Sequence, residues 1–452
     1  MRTPARGRYS DTVLAVAALL TVGALHRLWN VLHYPVRMGF DAPGNLEYIE
    51  MLMRRWALPA PDAGWSTAHP PFFYAIGAAI GRLQGLPDED SIGRPTVLLC
   101  AALGLAAVAG TARLVHRLSP KSGRRVVLAT ALLVFLPVHI SMSAMVSEEL
   151  LTSALVSLAI VGLAIEMARP EDQRTSWRPA LLGSVAGLAL LTKLSAVMAI
   201  GAGVFALLSE GPSRTWSRAA RTSLVFAGPA ALVGGWFYLR NLVLHGYLYP
   251  HGLSVHSVMF DMPPGSRGFA DYVSFPLAAF SAAQAPEPAL VHSVWGTTYA
   301  SVWFDPHRHF LPRSAVGLEL AARLILVTAL LPTAAFLVGL LRGARRAWRR
   351  RSGVDRLLVA LVVSMLGGYV AFTWVNPWFV TVKGSFLLGL ATPFAVYSSE
   401  ALDGWLSAGR RQAVVLGSLL VLLFVASLAT FTYQGLFTKR DPPGTEWQSL
   451  RQ

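Results

Sequence analysis

The chain has 452 residues, of which 54% are hydrophobic and only 14% charged, well below the roughly 25% charged residues of ordinary soluble domains. This excludes a soluble globular enzyme and implies a polytopic membrane protein, because apolar stretches near the roughly 20 residues of a membrane span recur with no hydrophilic block between them. A net charge of +15 would suggest nucleic acid in a soluble protein, but here the basic residues collect in short loops without interleaved aromatics, and they read as topology signals instead.

In chain order, residues 13–32 form the first expected span, with Arg2, Arg6 and Arg8 before it placing the N-terminus inside. A cleavable signal peptide would share this layout, but the apolar run continues through Leu28, Trp29 and Leu32, which favours an uncleaved span. In the long outer segment that follows, Leu46, Ile49, Met53 and Trp56 recur at helical spacing opposite Glu47, Glu50 and Arg54. That is the pattern of a short interfacial helix, with Glu50 and Arg54 paired along it. Residues 70–83, opened by Pro70 and Pro71, form a second helix too short to span.

Further spans are expected at 95–114, 126–139 and 150–167. Cys100, the one cysteine, lies inside the first of these and reads as a packing residue. Residues 180–208 carry basic flanks at both ends, so an even number of crossings is needed: a tight pair of short spans with Lys193 at the outer apex, where its side chain can reach the interface. The alternative is one long tilted span. A span at 223–239 leads into a second outer segment reaching Ser314, rich in Pro, Gly, His and aromatics, as an ordered interfacial lid would be. Spans at 316–341, 357–375, 386–401 and 413–431 bring the total to about 11, and Glu319 and Arg323 read as an ion pair within the first of these. The inner segments hold more than half of the 39 Lys and Arg, while Asp41, Glu47, Glu50, Asp62, Asp88, Glu148, Glu149, Asp261, Asp271 and Asp305 all fall outside. The outer face is therefore where chemistry should be sought.

Asp41 comes first. Ala42 precedes Pro43 and is biased away from helical angles, so the helix is expected to begin at Pro43, with Ala42 at the cap and Asp41 one residue beyond the capping position. That frees its carboxylate for chemistry, although a carboxylate near a helix N-terminus is favourable in any case. His69, by chemistry alone, reads as an exposed loop histidine. Glu148 and Glu149 suit a helix start as well as they suit substrate or metal contact. The run Asp305-Pro306-His307-Arg308-His309 could hold a divalent ion, although its spacing matches no specific metal motif, or bind an anion through Arg308. Lys193, Arg240 and Lys383 fall at outer ends of spans, where snorkelling explains them and where they could jointly clamp a lipid phosphate. The sequence has no Gly-rich phosphate loop, no Gly-x-Ser-x-Gly and no paired-Cys motif.

Several stretches together carry a family resemblance: Asp41 after the first span, Glu47-Tyr48, the run from His69 through Pro71 to Tyr74, the stretch from Gly187 to Ser195 around Lys193, Gly235 through Arg240-Asn241 to Pro250, and more loosely Lys383-Gly384-Ser385-Phe386. In order and spacing they resemble the GT-C membrane glycosyltransferases of the protein O-mannosyltransferase and lipid A aminoarabinose or galacturonosyl transferase kind. The resemblance implies an all-α polytopic fold with interfacial helices in the first outer loop. It divides a single membrane domain into a catalytic module at 10–250, an outer loop region at 251–315, additional spans at 316–433 and a polar tail at 434–452.

It also implies a polyprenyl-phosphate sugar donor at the outer face of a plasma or inner membrane, and inverting transfer to a lipid, glycan or protein acceptor. Asp41 would be the general base. Lys193, Arg240 and Lys383 would neutralise the departing phosphate, and Glu47, Tyr48, His69, Glu148, Glu149, Asp305 and Arg308 would contact substrate. No cofactor is required, although a divalent metal is compatible. Many relatives carry two adjacent acidic residues where this chain has Asp41-Ala42, which puts the second carboxylate in doubt; either Glu47 or Glu148 replaces it, or nothing does. A large C-terminal soluble domain, present in some members, is not expected from these 452 residues. The competing classes are a transporter or lipid flippase, which predicts internal repeats that this sequence does not show, and an inactive scaffold on the same fold.

Overall fold

The computed structural model of the chain describes residues 4–209, 215–249, 267–280, 288–312 and 315–436. Arg2, Arg214, Pro250, Asp261, much of the expected outer lid and nearly all of the polar tail lie outside the described residues. What is described is helical, with no strand among the described residues.

Eight helical segments of the described residues are long and apolar enough to cross a bilayer: Ser10–His33, Ser91–Leu118, Glu148–Met167, Trp216–His245, Leu318–Arg349, Gly353–Val375, Phe379–Ser407 and Arg410–Thr430. The chain is thus an integral membrane protein. The first four of these segments fall on helices α1 (Pro4–His33), α4 (Glu89–Leu118), α7 (Glu148–Met167) and the pair α10 (Trp216–Ala230) and α11 (Trp236–His245). The last two are joined through one π-helical turn at Ala231–Gly235. The three other expected spans are short. Residues 126–139 are divided at Pro137, the first residue of α6 (Pro137–Met142), which leaves α5 (Gly123–Val134) with 12 residues. Proline there removes an amide donor and interrupts the ladder. The tight pair is α8 (Trp177–Leu190) and α9 (Val197–Leu208), with 14 and 12 residues. At 1.5 Å per residue these are about 21 Å and 18 Å long, less than the roughly 30 Å of a bilayer core.

Ion pairs fix which ends lie together. Glu166 near the end of α7 pairs with Arg178 of α8 at 3.1 Å, and Glu171 pairs with Arg218 of α10 at 2.6 Å. Lys193, in the break between α8 and α9, reaches back to Glu148 at the start of α7, 3.0 Å away. The chain therefore runs along α8 toward the start of α7, turns at Lys193 and runs back along α9. The close approach of α8 to the π-helical turn depends on glycine: a Cβ on Gly234 would lie 2.4 Å from the Gly187 carbonyl oxygen, and small residues are what let membrane helices pack backbone to backbone.

The first outer loop folds as α2 (Ala42–Arg55) and α3 (Phe72–Gln84). Leu46, Ile49 and Leu52 form the buried face of α2, and Met53 is half-buried. Trp56, expected on that face, instead ends the helix in left-handed geometry (φ 50°), exposed and under the Arg82 guanidinium. The Glu50–Arg54 pair forms at 2.6 Å, and Glu319–Arg323 forms only at 3.9 Å on an exposed face. The remaining helices used below are α12 (Val294–Trp303), α13 (Leu318–Thr328), α14 (Leu330–Arg349), α15 (Gly353–Val375), α16 (Ala391–Leu406) and α17 (Arg410–Thr430).

Candidate active site

Asp41 lies in the turn between α1 and α2. The helix begins at Ala42, one residue earlier than the pre-proline argument expects, so Asp41 itself occupies the cap position, and its carbonyl accepts the first helical bond from Asn45 at 2.9 Å. Pro43 falls in the first turn, where no amide donor is needed, and the complete burial of Ala42 outweighs its local preference. The side chain nevertheless makes no cap bond. Asp41 adopts left-handed backbone angles (φ 55°, ψ 13°), a conformation that costs a non-glycine residue about 1 kcal/mol and that Asp tolerates better than most. This turns the carboxylate away from the helix end. Its Oδ1 accepts a hydrogen bond from Trp65 Nε1 at 2.9 Å, and its Oδ2 lies 3.7 Å from Lys383 Nζ. The side chain is 43% exposed, whereas that of Lys383 is 13% exposed. Crowding by the surrounding protein pushes the carboxyl up, but the Lys383 ammonium and the Trp65 indole outweigh it and hold Asp41 below its ordinary range.

A second knot of charge adjoins the first. Glu148 and Glu149 open α7, and Lys193 donates to Glu148 at 3.0 Å and to Glu149 in a shorter contact. Both carboxylates are nearly buried, at 6% and 9% side-chain exposure. His69 Nδ1 stands 3.5 Å from Glu148 Oε1. Burial alone would lower the Lys193 ammonium, but Glu148 and Glu149 more than reverse this and hold it above its usual range. The two knots share one ring, because Phe386 carries Lys193 Nζ at 4.7 Å and Lys383 Nζ at 5.5 Å from its centroid, each within cation–π reach. Phe40 completes the surroundings of Lys383, with its centroid 4.3 Å from Nζ, and also packs on the His309 ring at 4.0 Å.

Asp41, His69, Glu148, Glu149, Lys193 and Lys383 are therefore brought together from five separate stretches of chain. Tyr48 lies behind them, stacked on Tyr74 at 4.2 Å, and Tyr74 in turn hydrogen-bonds Asn45. Burial raises the Tyr48 hydroxyl, and the charge of Arg240 partly opposes this. Arg240 itself donates to the Asn241 side chain at 3.2 Å. Glu47 is exposed on α2.

Asp305 serves its own loop: its carboxylate accepts backbone N–H groups from His309, Phe310 and Leu311 at 3.3, 2.7 and 2.8 Å, and burial raises it. Arg308 lies over Phe304 at 5.4 Å, with Nε and Nη1 unpartnered. His307 is tied to the Val382 carbonyl at 3.1 Å. Burial and the nearby Lys383 charge lower His307 to about 4, and burial, His307 and Lys383 lower His309 to about 3. Among the described residues no three His, Cys, Asp or Glu side chains converge as a metal ion would require, and the carboxylates of the cluster already face ammonium groups. The residues that sequence reasoning missed are Trp65, Phe40 and Phe386, since one more aromatic among many in a membrane protein carries no signal until its partner is known.

The fold is similar to that of solved GT-C membrane glycosyltransferases, and the resemblance read from the sequence is borne out to that extent. The family described as dolichyl-phosphate-mannose-protein mannosyltransferase matches residues 68–235. Among solved structures, the oligosaccharyltransferase AglB from Archaeoglobus fulgidus, in complex with an inhibitory peptide and a dolichol-phosphate, has a TM-score of 0.59 at 16% identity over 96% of this chain and 57% of that one. ArnT from Cupriavidus metallidurans gives a TM-score of 0.43 at 16% identity over 93% of this chain and 78% of that one. The chain spans little more than half the length of the archaeal enzyme. No curated protein matches in sequence.

Proposed function

We propose that the chain is an inverting glycosyltransferase that moves a sugar from a polyprenyl-phosphate donor to an acceptor hydroxyl. The observation that carries this reading is the open Asp41 carboxylate set between Trp65 and Lys383, beside a second lysine, at one end of a membrane bundle. The AglB fold supports the donor class, since that enzyme was solved with a dolichol-phosphate. Asp41 takes the acceptor hydroxyl proton as the oxygen attacks the anomeric carbon, a role worth roughly 10²–10⁴-fold in rate. The bond from that carbon to the phosphate oxygen breaks, and polyprenyl phosphate leaves. A single displacement inverts the anomeric centre. Lys383 and Lys193 supply fixed positive charge where negative charge develops on the leaving phosphate, and Arg240 is assigned to the same side through Tyr48. His69 and Glu148 line the acceptor approach.

The basic residues that gather at the opposite end, among them Arg124, Arg125, Arg178, Arg218 and Arg346, support a cytoplasmic location for that end. The Asp41 end would then face the extracytoplasmic side of a plasma or inner membrane. The test is Asp41→Asn. It should remain inserted and folded while transfer is lost, and turnover at the wild-type rate would overturn the general-base assignment.

A further inference from the structure

The two lysines of the site are held very differently. Lys193 is locked between two nearly buried carboxylates by direct hydrogen bonds. Lys383 has three N–H donors, and among the described residues its carboxylate neighbour is Asp41, with Oδ2 at 3.7 Å, an ion-pair distance too long for a hydrogen bond. What positions it otherwise is the pair of rings Phe40 and Phe386. Lys383 is thus an ammonium held between two rings and at ion-pair distance from a carboxylate whose other oxygen is bound by Trp65. Formal charge points the same way: Asp41, Glu148 and Glu149 against Lys193 and Lys383 leave the site negative by one with His69 neutral. Both lysines are already engaged by carboxylates, and Lys383, held at ion-pair distance without a hydrogen bond, is the one an entering phosphate can draw away at little cost.

Building on the glycosyl-transfer reading, we propose that Lys383 masks Asp41 in the donor-free protein and is handed over to the donor phosphate, so that the base is freed only when donor is seated. The phosphate oxygens accept hydrogen bonds from the ammonium, and Asp41 keeps its Trp65 contact while losing its counter-charge. Since Lys383 is the principal group holding the Asp41 carboxyl down, its transfer strengthens Asp41 as a base at the moment the sugar arrives. Without donor, the carboxylate is quenched.

The mask makes a prediction that a simple phosphate ligand does not: removing the base should tighten phosphate binding. The probe is citronellyl methyl phosphate, a soluble diester that does not titrate between about pH 3 and 8, bound to the detergent-purified full chain by calorimetry. Asp41→Asn should bind it about tenfold more tightly than wild type, Lys383→Met should bind it more weakly, and adding Asp41→Asn to Lys383→Met should restore nothing. Tightening that persists in the Lys383→Met background would be general charge repulsion and would overturn the mask. So would equal or weaker binding by Asp41→Asn.

Failure of wild type to bind the diester at any pH would remove the donor-phosphate reading itself, whereas binding without the Asp41 effect would remove only the mask.

Discussion

Lys193→Met deletes the cation that lies between two nearly buried carboxylates and leaves Glu148 and Glu149 adjacent, with no direct hydrogen bond to a cation in its place among the described residues. At 3.0 Å and an effective dielectric of about 20, the gross attraction to Glu148 alone is roughly 5–6 kcal/mol. Desolvation of the lysine offsets part of this, and the loss expected on removing one partner of a buried pair is about 3–5 kcal/mol. The half-life of the purified protein in detergent at a fixed elevated temperature reads it out. Lys193→Met should shorten that half-life at least tenfold, and Lys193→Met with Glu149→Gln should recover much of it, because the second change removes one stranded charge. A Lys193→Met protein with the wild-type half-life would show that the knot does not hold these helices together, and the locked-versus-exchangeable distinction between Lys193 and Lys383 would go with it.

His307 and His309 are neutral in the fold down to about pH 4 and about pH 3, whereas an unfolded histidine takes up its proton near 6.5. The unfolded chain therefore binds more protons throughout that interval, and the stability these groups contribute is complete above about pH 6.5 and lost as pH falls toward 4. A thermal profile across pH 4 to 7 should show this loss, and replacing both with Phe should flatten it. On the other half of the molecule, a Cβ on Gly339 of α14 would lie 2.1 Å from the Tyr397 carbonyl oxygen of α16. Gly339→Leu should separate the two helices and destabilise the protein by about 1–3 kcal/mol, seen as a lower melting midpoint, while Gly201→Ala, which meets no atom within 4 Å, should leave it unchanged.

Much of this site was legible in the sequence because charge is rare in a membrane chain. Asp41, Lys193 and Lys383 each stand out against apolar surroundings, and the topology counts placed them at one end. Their pairing was not legible. Glu148 and Glu149 read equally well as helix-start residues, and nothing local to Lys193 says that its counter-charges come from 44 and 45 residues upstream. The same holds for Asp305, whose carboxylate looked like a ligand but closes its own turn. Among the helices, hydropathy located α8 and α9 and placed Lys193 at their apex, but it could not show that both would fall short of a bilayer's thickness, since length is fixed by where the backbone breaks. Pro137 was a visible break signal; the extended backbone at Lys193 was not.

The most direct measurement is release of polyprenyl phosphate from a panel of synthetic polyprenyl-phosphate sugars by the purified wild-type chain, with Asp41→Asn alongside. The account predicts release from at least one donor by wild type and none by Asp41→Asn. Release at equal rates by both proteins, or no release from any donor that wild type demonstrably binds, would contradict it.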